Sequence, residues 1–176
     1  MSRINYIVFF FLFFYSYSQD YNIDDYDGQI INTCSGNFYD SGGPTGVYSA
    51  NEDYTTTICP ENDLQLIELD FTSFTSQPVQ NGNGDGLEIY DGINTSAPLI
   101  NMYSGTNSNS GPGFITASND SGCLTFRFFS NNAAQAGGWE AVISCFEPCQ
   151  DVFSEISSNP SANANGSVEV DVDENI

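Results

Sequence analysis

Residues 85–92 read DGLEIYDG, and this stretch indicates the fold class. Leu87 and Ile89 alternate with Glu88, which is the period-two pattern of a strand with one buried face. The stretch ends in an Asp-Gly pair, which favours a turn. Further runs alternate in the same way at residues 67–71, 124–128 and 139–143. The chain is therefore predicted to fold as a series of short, half-buried strands.

Turn-forming clusters separate these runs. They are rich in Gly, Asn, Ser and Pro and lie at residues 41–44, 81–84, 107–113 and 131–138. No window shows the start and stop signals of a helix. Short strands punctuated in this way are typical of an all-β antiparallel sandwich, in which two sheets bury their inward side chains. A hydrophobic content of 40% is enough for one domain with a core.

The 5 cysteines indicate an oxidising compartment. Four of them fall within a span of domain size and allow three pairings: Cys34, Cys59, Cys123 and Cys145. Antiparallel pairing of the last two predicted strands would bring Cys123 opposite Cys145. A bridge from Cys34 to Cys59 would close a separation of about 25 residues across the N-terminal strands. We therefore expect the pairs Cys34–Cys59 and Cys123–Cys145, with Cys149 left over.

The N-terminus has the pattern of a cleaved secretory signal peptide. Arg3 precedes an apolar run at residues 7–14, and small residues lie at the positions that a signal peptidase inspects before Gln19. A transmembrane anchor needs about 20 apolar residues, and this run ends too early for one. We therefore expect a signal peptide at residues 1–18, secretion or display at the cell surface, and no membrane insertion of the mature chain.

The remaining chain divides by composition into four parts. Residues 19–33 are expected to form an N-terminal extension, and residues 34–147 the domain that carries the four cysteines. Residues 148–166 are rich in Ser, Asn and Ala, with Pro and Gly among them, which favours a flexible linker. In residues 167–176 valines alternate with acids, which predicts the first strand of a further, truncated β domain.

The chain is strongly acidic, with 23 Asp and Glu against 2 Lys and Arg. Arg127 is the one cation expected after signal cleavage. Nucleic acids and anionic membranes are recognised through basic patches, so neither is an expected partner. The 0 His removes the commonest general base, and the lack of Lys removes Schiff-base chemistry. We therefore do not expect an enzyme in this sequence, although a catalytic domain elsewhere in a longer parent protein is compatible with it.

Several motifs follow one another in order along residues 34–145. After the first two cysteines come an F-x-x-F pair (Phe71 and Phe74), the DGLEIYDG string, an F-F-S-N loop and a G-W-x-A-x-I strand at residues 138–143. This order and spacing resemble those of a CUB domain. The likeness is greatest to the bacterial form found in large secreted surface proteins, in which a Y-x-x-N-E-x-Y segment, here residues 48–54, lies between the first cysteines.

The resemblance implies a jelly-roll-like sandwich that recognises an extracellular protein or glycan without catalysis. Many members hold Ca²⁺ in the loops at one end. Asp85 matches one carboxylate ligand of that site. Gln77, or Ser76 in the alternative register, and Asn131 stand where two other carboxylates are usual. Glu52 is a further carboxylate that its loop would have to bring towards Asp85. Because the two amides remove negative charge from the site, we expect no required cofactor and a weakened Ca²⁺ site at these four residues.

Tyr48, Tyr54 and Tyr103 lie near predicted turns and are candidates for a binding surface, since an aromatic face with a polar edge suits protein or glycan ligands. Core packing is the alternative for each of them. Two functions therefore compete: a recognition module, and a structural spacer in a multi-domain adhesin or secreted hydrolase. Residues 167–176 are similar to the opening of a PKD or immunoglobulin-like repeat, as expected for the N-terminal part of a multi-domain protein.

Overall fold

The structure is a computed structural model that describes residues 19–107 and 110–148. These residues form an all-β sandwich of two five-stranded sheets, which confirms the predicted fold class. The strands in chain order are β1 (Asp20–Asn22), β2 (Ile30–Asn32), β3 (Gly36–Tyr39), β4 (Asp53–Cys59), β5 (Leu66–Thr75), β6 (Gly86–Tyr90), β7 (Leu99–Tyr103), β8 (Phe114–Thr116), β9 (Leu124–Phe129) and β10 (Gly138–Phe146).

Each sheet is mixed rather than purely antiparallel. Sheet A has the order β1-β3-β10-β5-β8, and sheet B has the order β2-β4-β9-β6-β7. The edge strand β1 runs parallel to β3, and β2 runs parallel to β4. From β1 to β4 the chain crosses to the other sheet after every strand. Two crossings return it to the first sheet in the original direction, which makes β3 parallel to β1 and β4 parallel to β2. Both edge strands lie within residues 19–33. Each has three residues, too few to show in the sequence the period-two pattern that predicts a strand.

The core lies between the sheets and follows the predicted alternation. The inward side chains of β5, β6, β9 and β10 are buried: Ile67, Leu69, Phe71, Leu87, Ile89, Leu124, Phe126, Phe128, Trp139, Ala141 and Ile143. Phe38 of β3 packs against Phe126 and Trp139, with ring centroids 5.0 and 5.7 Å apart. Such ring pairs contribute about 0.5–1.5 kcal/mol each beyond the area that they bury. This aromatic cluster joins β3 and β10 of sheet A to β9 of sheet B.

The structure confirms that four cysteines form two disulfides, but the predicted pairing is wrong. Cys34 is bonded to Cys145, with Cα atoms 5.0 Å apart, and Cys59 is bonded to Cys123, with Cα atoms 4.2 Å apart. The prediction assumed that the last two strands pair as a hairpin. Instead β9 belongs to sheet B and β10 to sheet A. Cys123, directly before β9, and Cys145, within β10, therefore do not face each other in a hairpin.

The register explains the pairing that forms instead. Ile58 of β4 faces Leu124 of β9, so the next residue along β4, Cys59, faces Cys123. Cys34 lies where the chain crosses from β2 in sheet B to β3 in sheet A, and its partner belongs to β10 of sheet A. One disulfide therefore crosslinks two neighbouring strands, and the other ties the crossover to the central strand of sheet A.

The strand directions place both disulfides at one end of the sandwich. β4 ends at Cys59 and β10 ends one residue after Cys145, whereas β4 begins and β9 ends at the opposite end. We call the first the disulfide end and the second the tip. The predicted signal peptide, Cys149, all but the first residue of the linker and the strand at residues 167–176 lie outside the described residues.

Candidate functional site at the tip

The tip is built by loops that connect strands of both sheets. They span residues 40–52 between β3 and β4, 76–85 between β5 and β6, and 130–137 between β9 and β10. The N–H of Asn51 donates to the carbonyl of Asn131 at 2.8 Å, and the N–H of Tyr48 donates to the carbonyl of Ala136 at 3.3 Å. Backbone hydrogen bonds therefore join the first loop to the third.

A tight turn delivers Asp85 to the centre of the tip. Residues 80–83 reverse the chain, with Asn81 and Gly82 at φ 53° and 77°. Positive φ at both central positions is typical of the type I′ turn that Asn-Gly favours. After the reversal, the N–H of Asp85 donates to the carbonyl of Gln77 at 3.1 Å. Asp85 is fully buried as a result.

The carboxylate of Asp85 joins the three tip loops. Its Oδ2 accepts a hydrogen bond from the Tyr48 hydroxyl at 2.6 Å, and its Oδ1 accepts one from the Asn131 N–H at 2.8 Å. Hydrogen bonds to an ionised group are stronger than neutral ones. A buried carboxylate that is bonded in this way stabilises the relative position of the loops.

Tyr48 is a core residue, and its candidacy for an exposed binding surface is wrong. Its exposed fraction is 1%, and its ring packs against Phe128 with centroids 4.9 Å apart. The hydroxyl that donates to Asp85 also accepts a hydrogen bond from the Gln77 N–H at 3.0 Å. Burial and the hydrogen bond to Asp85 raise the pKa of Tyr48 above its usual value. The hydroxyl therefore remains a proton donor at neutral pH.

Gln77 and Asn131 reach Asp85 through their backbones rather than their side chains. The side-chain Oε1 of Gln77 is buried without a hydrogen-bond partner among the described residues. The side chain of Asn131 is occupied elsewhere: its amide donates to Oδ1 of Asn83 at 2.9 Å, and its Oδ1 accepts from the N–H of Ala133 at 2.7 Å. The sequence therefore identified the neighbours of Asp85 but not the atoms that contact it.

The side chain of Glu52 bonds within its own loop. Its Oε1 accepts from the Ser41 hydroxyl at 2.5 Å and from the Ser49 N–H at 2.8 Å. Its Oε2 is buried without a hydrogen-bond partner among the described residues. The Ser130 hydroxyl completes the connection, since it accepts from the Glu52 N–H at 2.9 Å and donates to the Ser49 carbonyl at 2.8 Å. Glu52 fixes the first loop rather than extending towards Asp85.

Asp40 is a buried carboxylate of the tip that the sequence did not single out. It is 0% exposed and accepts hydrogen bonds from the N–H groups of Gly42 and Trp139 at 2.8 and 2.9 Å. Burial raises the pKa of Asp40 to about 6, against the lowering effect of these two hydrogen bonds, and the charge of Glu52 adds to the increase. Its position directly before the turn cluster at residues 41–44 is the one local signal in the sequence.

Gly138 shows how closely the third loop approaches Asp40. Its φ is 66°, which lies in the left-handed region that favours glycine. A Cβ at this position would overlap the Asp40 carboxyl group. Glycine is therefore required before Trp139, because a side chain there would displace the Asp40 carboxylate that accepts from the Trp139 N–H.

These residues fit Ca²⁺ poorly. Calcium takes six to eight oxygen ligands, several of them carboxylates, and the predicted set offers two carboxylates, Asp85 and Glu52. Both oxygens of Asp85 already accept hydrogen bonds, from the Tyr48 hydroxyl and the Asn131 N–H. The described residues contain no group of three or more His, Cys, Asp or Glu side chains placed to hold a metal ion. Oε1 of Gln77 and Oε2 of Glu52 are buried without a hydrogen-bond partner among the described residues, and the four-residue site stays a prediction.

Tyr54 and Tyr103 are half-buried and pack against the core. Tyr54 faces Phe128 across β4 and β9, and Tyr103 faces Leu87 across β6 and β7. Their partners point into the sandwich, and directly opposed residues of paired strands share one face of the sheet, so both tyrosines lie on the inward side of sheet B. Their role in binding stays a prediction.

Most of the described sequence matches a known protein family. Residues 27–142 match the model of the CUB domain. The chain belongs to the CUB family. CUB domains are typically extracellular protein-interaction modules, and the two disulfides agree with that setting. No helix in the described stretches is long and apolar enough to cross a bilayer.

The chain spans only a part of each of the proteins that it matches. Human Cubilin is 37% identical over 87 residues, which are 49% of this chain and 2% of Cubilin. The extracellular region of zebrafish Gpr126/Adgrg6 has a TM-score of 0.55 at 13% identity, covering 68% of this chain and 14% of that one. The CUB1-EGF-CUB2 segment of human MASP-1/3 has a TM-score of 0.53 at 15% identity, covering 68% and 42%. The structural likenesses confirm the fold.

Proposed function

We propose that this chain is a non-catalytic extracellular recognition module that binds a protein or glycan with its tip. The observation that carries this proposal is the connection of three loops from both sheets through one buried carboxylate, Asp85. Loops fixed in this way present their outer side chains in one arrangement, which reduces the entropy lost on binding. The exposed positions include Val47 on the first loop and Asn83 on the second.

The arrangement of the tip supports binding that does not require Ca²⁺. In a metal site, the cation would hold the loops together through their oxygens. Here the Tyr48 hydroxyl and the Asn131 N–H supply the positive partners of Asp85. These hydrogen bonds support a recognition surface whose geometry does not depend on an ion.

Catalysis by the described residues has little support. The sequence contains 0 His, and the buried carboxylates Asp40 and Asp85 hold backbone N–H groups rather than facing a cleft. Acid–base chemistry needs a group within hydrogen-bond reach of a substrate. A secreted or surface-attached protein that holds its ligand without transforming it agrees with these features.

Binding arrays test this proposal directly. The mature chain, residues 19–176, is applied to arrays of glycans and of extracellular proteins, and each positive signal is measured again with a Val47→Glu variant. Val47 is 60% exposed at the tip, and Leu64, 65% exposed, lies beyond Cys59 at the disulfide end. We expect Val47→Glu to weaken binding about ten-fold or more and Leu64→Glu to leave it unchanged. Silence on both arrays, or equal loss in both variants, would overturn the proposal and favour the spacer function.

A further inference from the structure

The outer face of sheet A is a second surface with the features of a docking site. The register aligns one row of outward residues across all five strands: Asp20, Asn37, Val142, Asp70 and Phe114. Neighbouring strands are about 4.8 Å apart, so this row extends over about 19 Å. An adjacent row carries Ser144, Glu68 and Thr116. The face is wide enough for several side chains of a partner.

Exposed apolar side chains lie among the acids of this face. Phe114 is 60% exposed, Val142 is 43% exposed and Phe146 is 44% exposed. Asp70 lies between Val142 and Phe114 in the row. Apolar side chains grouped on a sheet face and rimmed by polar residues are typical of protein-binding surfaces.

The two outer faces differ in how their carboxylates are neutralised. On sheet B, Arg127 bonds to Asp53 at 2.8 Å and to Glu88 at 3.0 Å. Arg127 and Arg3 are the 2 cationic side chains of the sequence, and Arg127 lies on sheet B. Within the described residues, the outward acids of sheet A therefore have no cationic side chain beside them: Glu68, Asp70, Glu140 and Asp20.

A single metal ion does not account for these acids. Outward residues on neighbouring strands are about 5 Å apart, and alternate residues on one strand are about 7 Å apart, so their carboxylates spread over the face. Within residues 19–107 and 110–148, no three acidic side chains come together in a metal-binding group. Spread charges with apolar side chains between them are complementary to a partner that also has several contact points.

The rest of this chain does not have the charge to cover the face. Residues 149–176 contain six acids and neither Lys nor Arg. A second copy would bring Arg127 alone, which is already paired with Asp53 and Glu88. Residues 149–176 and a second copy of residues 1–176 therefore supply no free basic group for this face.

We propose that the outer face of sheet A binds a basic segment of another polypeptide, with Lys or Arg opposite the acids and apolar side chains opposite Val142 and Phe114. This surface is separate from the tip and belongs to a different part of the domain. Its partner is defined by positive charge and apolar contacts together.

The test is calorimetric titration of the mature chain with a synthetic peptide of repeating Arg-Ser-Leu-Ser. When the peptide is extended, its Arg and Leu side chains share one face. At physiological salt we expect the triple variant Glu68→Gln, Asp70→Asn, Glu140→Gln to bind about ten-fold more weakly or worse. The double variant Phe114→Ser, Val142→Thr leaves the net charge unchanged and is expected to weaken binding at least about three-fold.

A charge-matched control separates this face from the acidity of the whole chain. The variant Glu61→Gln, Asp63→Asn, Asp120→Asn changes exposed acids in loops outside the strands of sheet A. It is expected to keep the affinity within about two-fold, because charges off the contact surface are largely screened. Equal losses in both triple variants, no effect of the apolar pair, or no binding by the unmodified chain would each overturn the proposal. Val47→Glu at the tip should leave peptide binding intact. Loss of binding at the tip can therefore be distinguished from loss of binding at sheet A.

Discussion

The hydroxyl of Tyr48 is the side-chain hydrogen-bond donor to the buried carboxylate of Asp85. It contacts Asp85 at 2.6 Å and the Gln77 N–H at 3.0 Å, so one side chain links two loops. A buried carboxylate without a partner costs considerably more than a solvated one. The geometry of the tip therefore depends strongly on this one hydroxyl.

Removal of that hydroxyl should destabilise the domain. We expect Tyr48→Phe to lower the free energy of unfolding by about 1–3 kcal/mol, because it leaves one oxygen of buried Asp85 without its donor. Urea denaturation followed by Trp139 fluorescence measures the change. Tyr103→Phe is the control, since Tyr103 is half-buried at a sheet edge. An equal effect of both substitutions would contradict the role given to Tyr48.

Asp40 should make the stability of the domain increase with acidity. Its pKa is about 6 in the folded chain against the ordinary 3.8, so the folded state binds more protons than the unfolded state between these values. Protonation therefore favours folding as the pH falls from 7 towards 4, by up to about 3 kcal/mol from this group.

The variant Asp40→Asn isolates this contribution from the other acids. The difference in unfolding free energy between the two proteins, measured by urea denaturation at several pH values, should grow in favour of the unmodified chain between pH 7 and pH 4. Asn cannot accept from both the Gly42 and Trp139 N–H groups, so an offset at every pH is expected as well. A difference that stays constant with pH would show that Asp40 has an ordinary pKa.

At the residue scale, the sequence predicted which residues meet but not how they meet. Asp85, Gln77 and Asn131 were grouped through the resemblance to the family, and they are neighbours in the structure. Two of them act through backbone groups, which carry no signature in the sequence. Tyr48 was placed near a turn, whereas its burial depends on contact with Phe128 in a strand more than 70 residues away.

At the scale of elements, the alternating pattern predicted the long strands well. β5, β6, β9 and β10 bury the residues that period two assigns to the core. The edge strands β1 and β2 have three residues each, and their parallel pairing depends on crossovers that local patterns do not encode. The cysteine pairing was wrong for a related reason, since it requires knowing that β9 and β10 lie in different sheets.

Peptide mapping checks the disulfide connectivity. A Glu-specific protease cleaves after Glu52, Glu61 and Glu140, which separates all four bonded cysteines. Without reduction, mass spectrometry should find one linked pair of peptides that contains Cys34 with Cys145 and another that contains Cys59 with Cys123. Linked peptides with Cys34 and Cys59 together would contradict the structure.

The crosslink within sheet B also has a predictable energetic role. The disulfide closes a separation of 64 residues, and loss of such a loop constraint typically costs about 2–4 kcal/mol. We expect the double variant Cys59→Ala, Cys123→Ala to lose stability in this range, measured by urea denaturation. An unchanged midpoint would show that the crosslink does not constrain the unfolded chain as expected.

At the scale of the whole molecule, the two ends of the sandwich are held by different chemistry. Covalent bonds fix the disulfide end, whereas hydrogen bonds to buried carboxylates fix the tip. The acidic surface, with 23 Asp and Glu, surrounds both. The proposed recognition function depends on one claim: hydrogen bonds to Asp85, and not a bound cation, hold the tip loops together.

Calorimetric titration with Ca²⁺ tests that claim most directly. The chain of residues 19–176 is compared with a variant that places carboxylates at two of the predicted ligand positions, Gln77→Glu with Asn131→Asp. The unfolding midpoint of each is recorded in CaCl₂ and in EDTA. We expect no heat of binding and equal midpoints for the unmodified chain, and Ca²⁺ binding with a higher midpoint in CaCl₂ for the variant. Ca²⁺ binding by the unmodified chain, with a midpoint that falls in EDTA, would contradict the account.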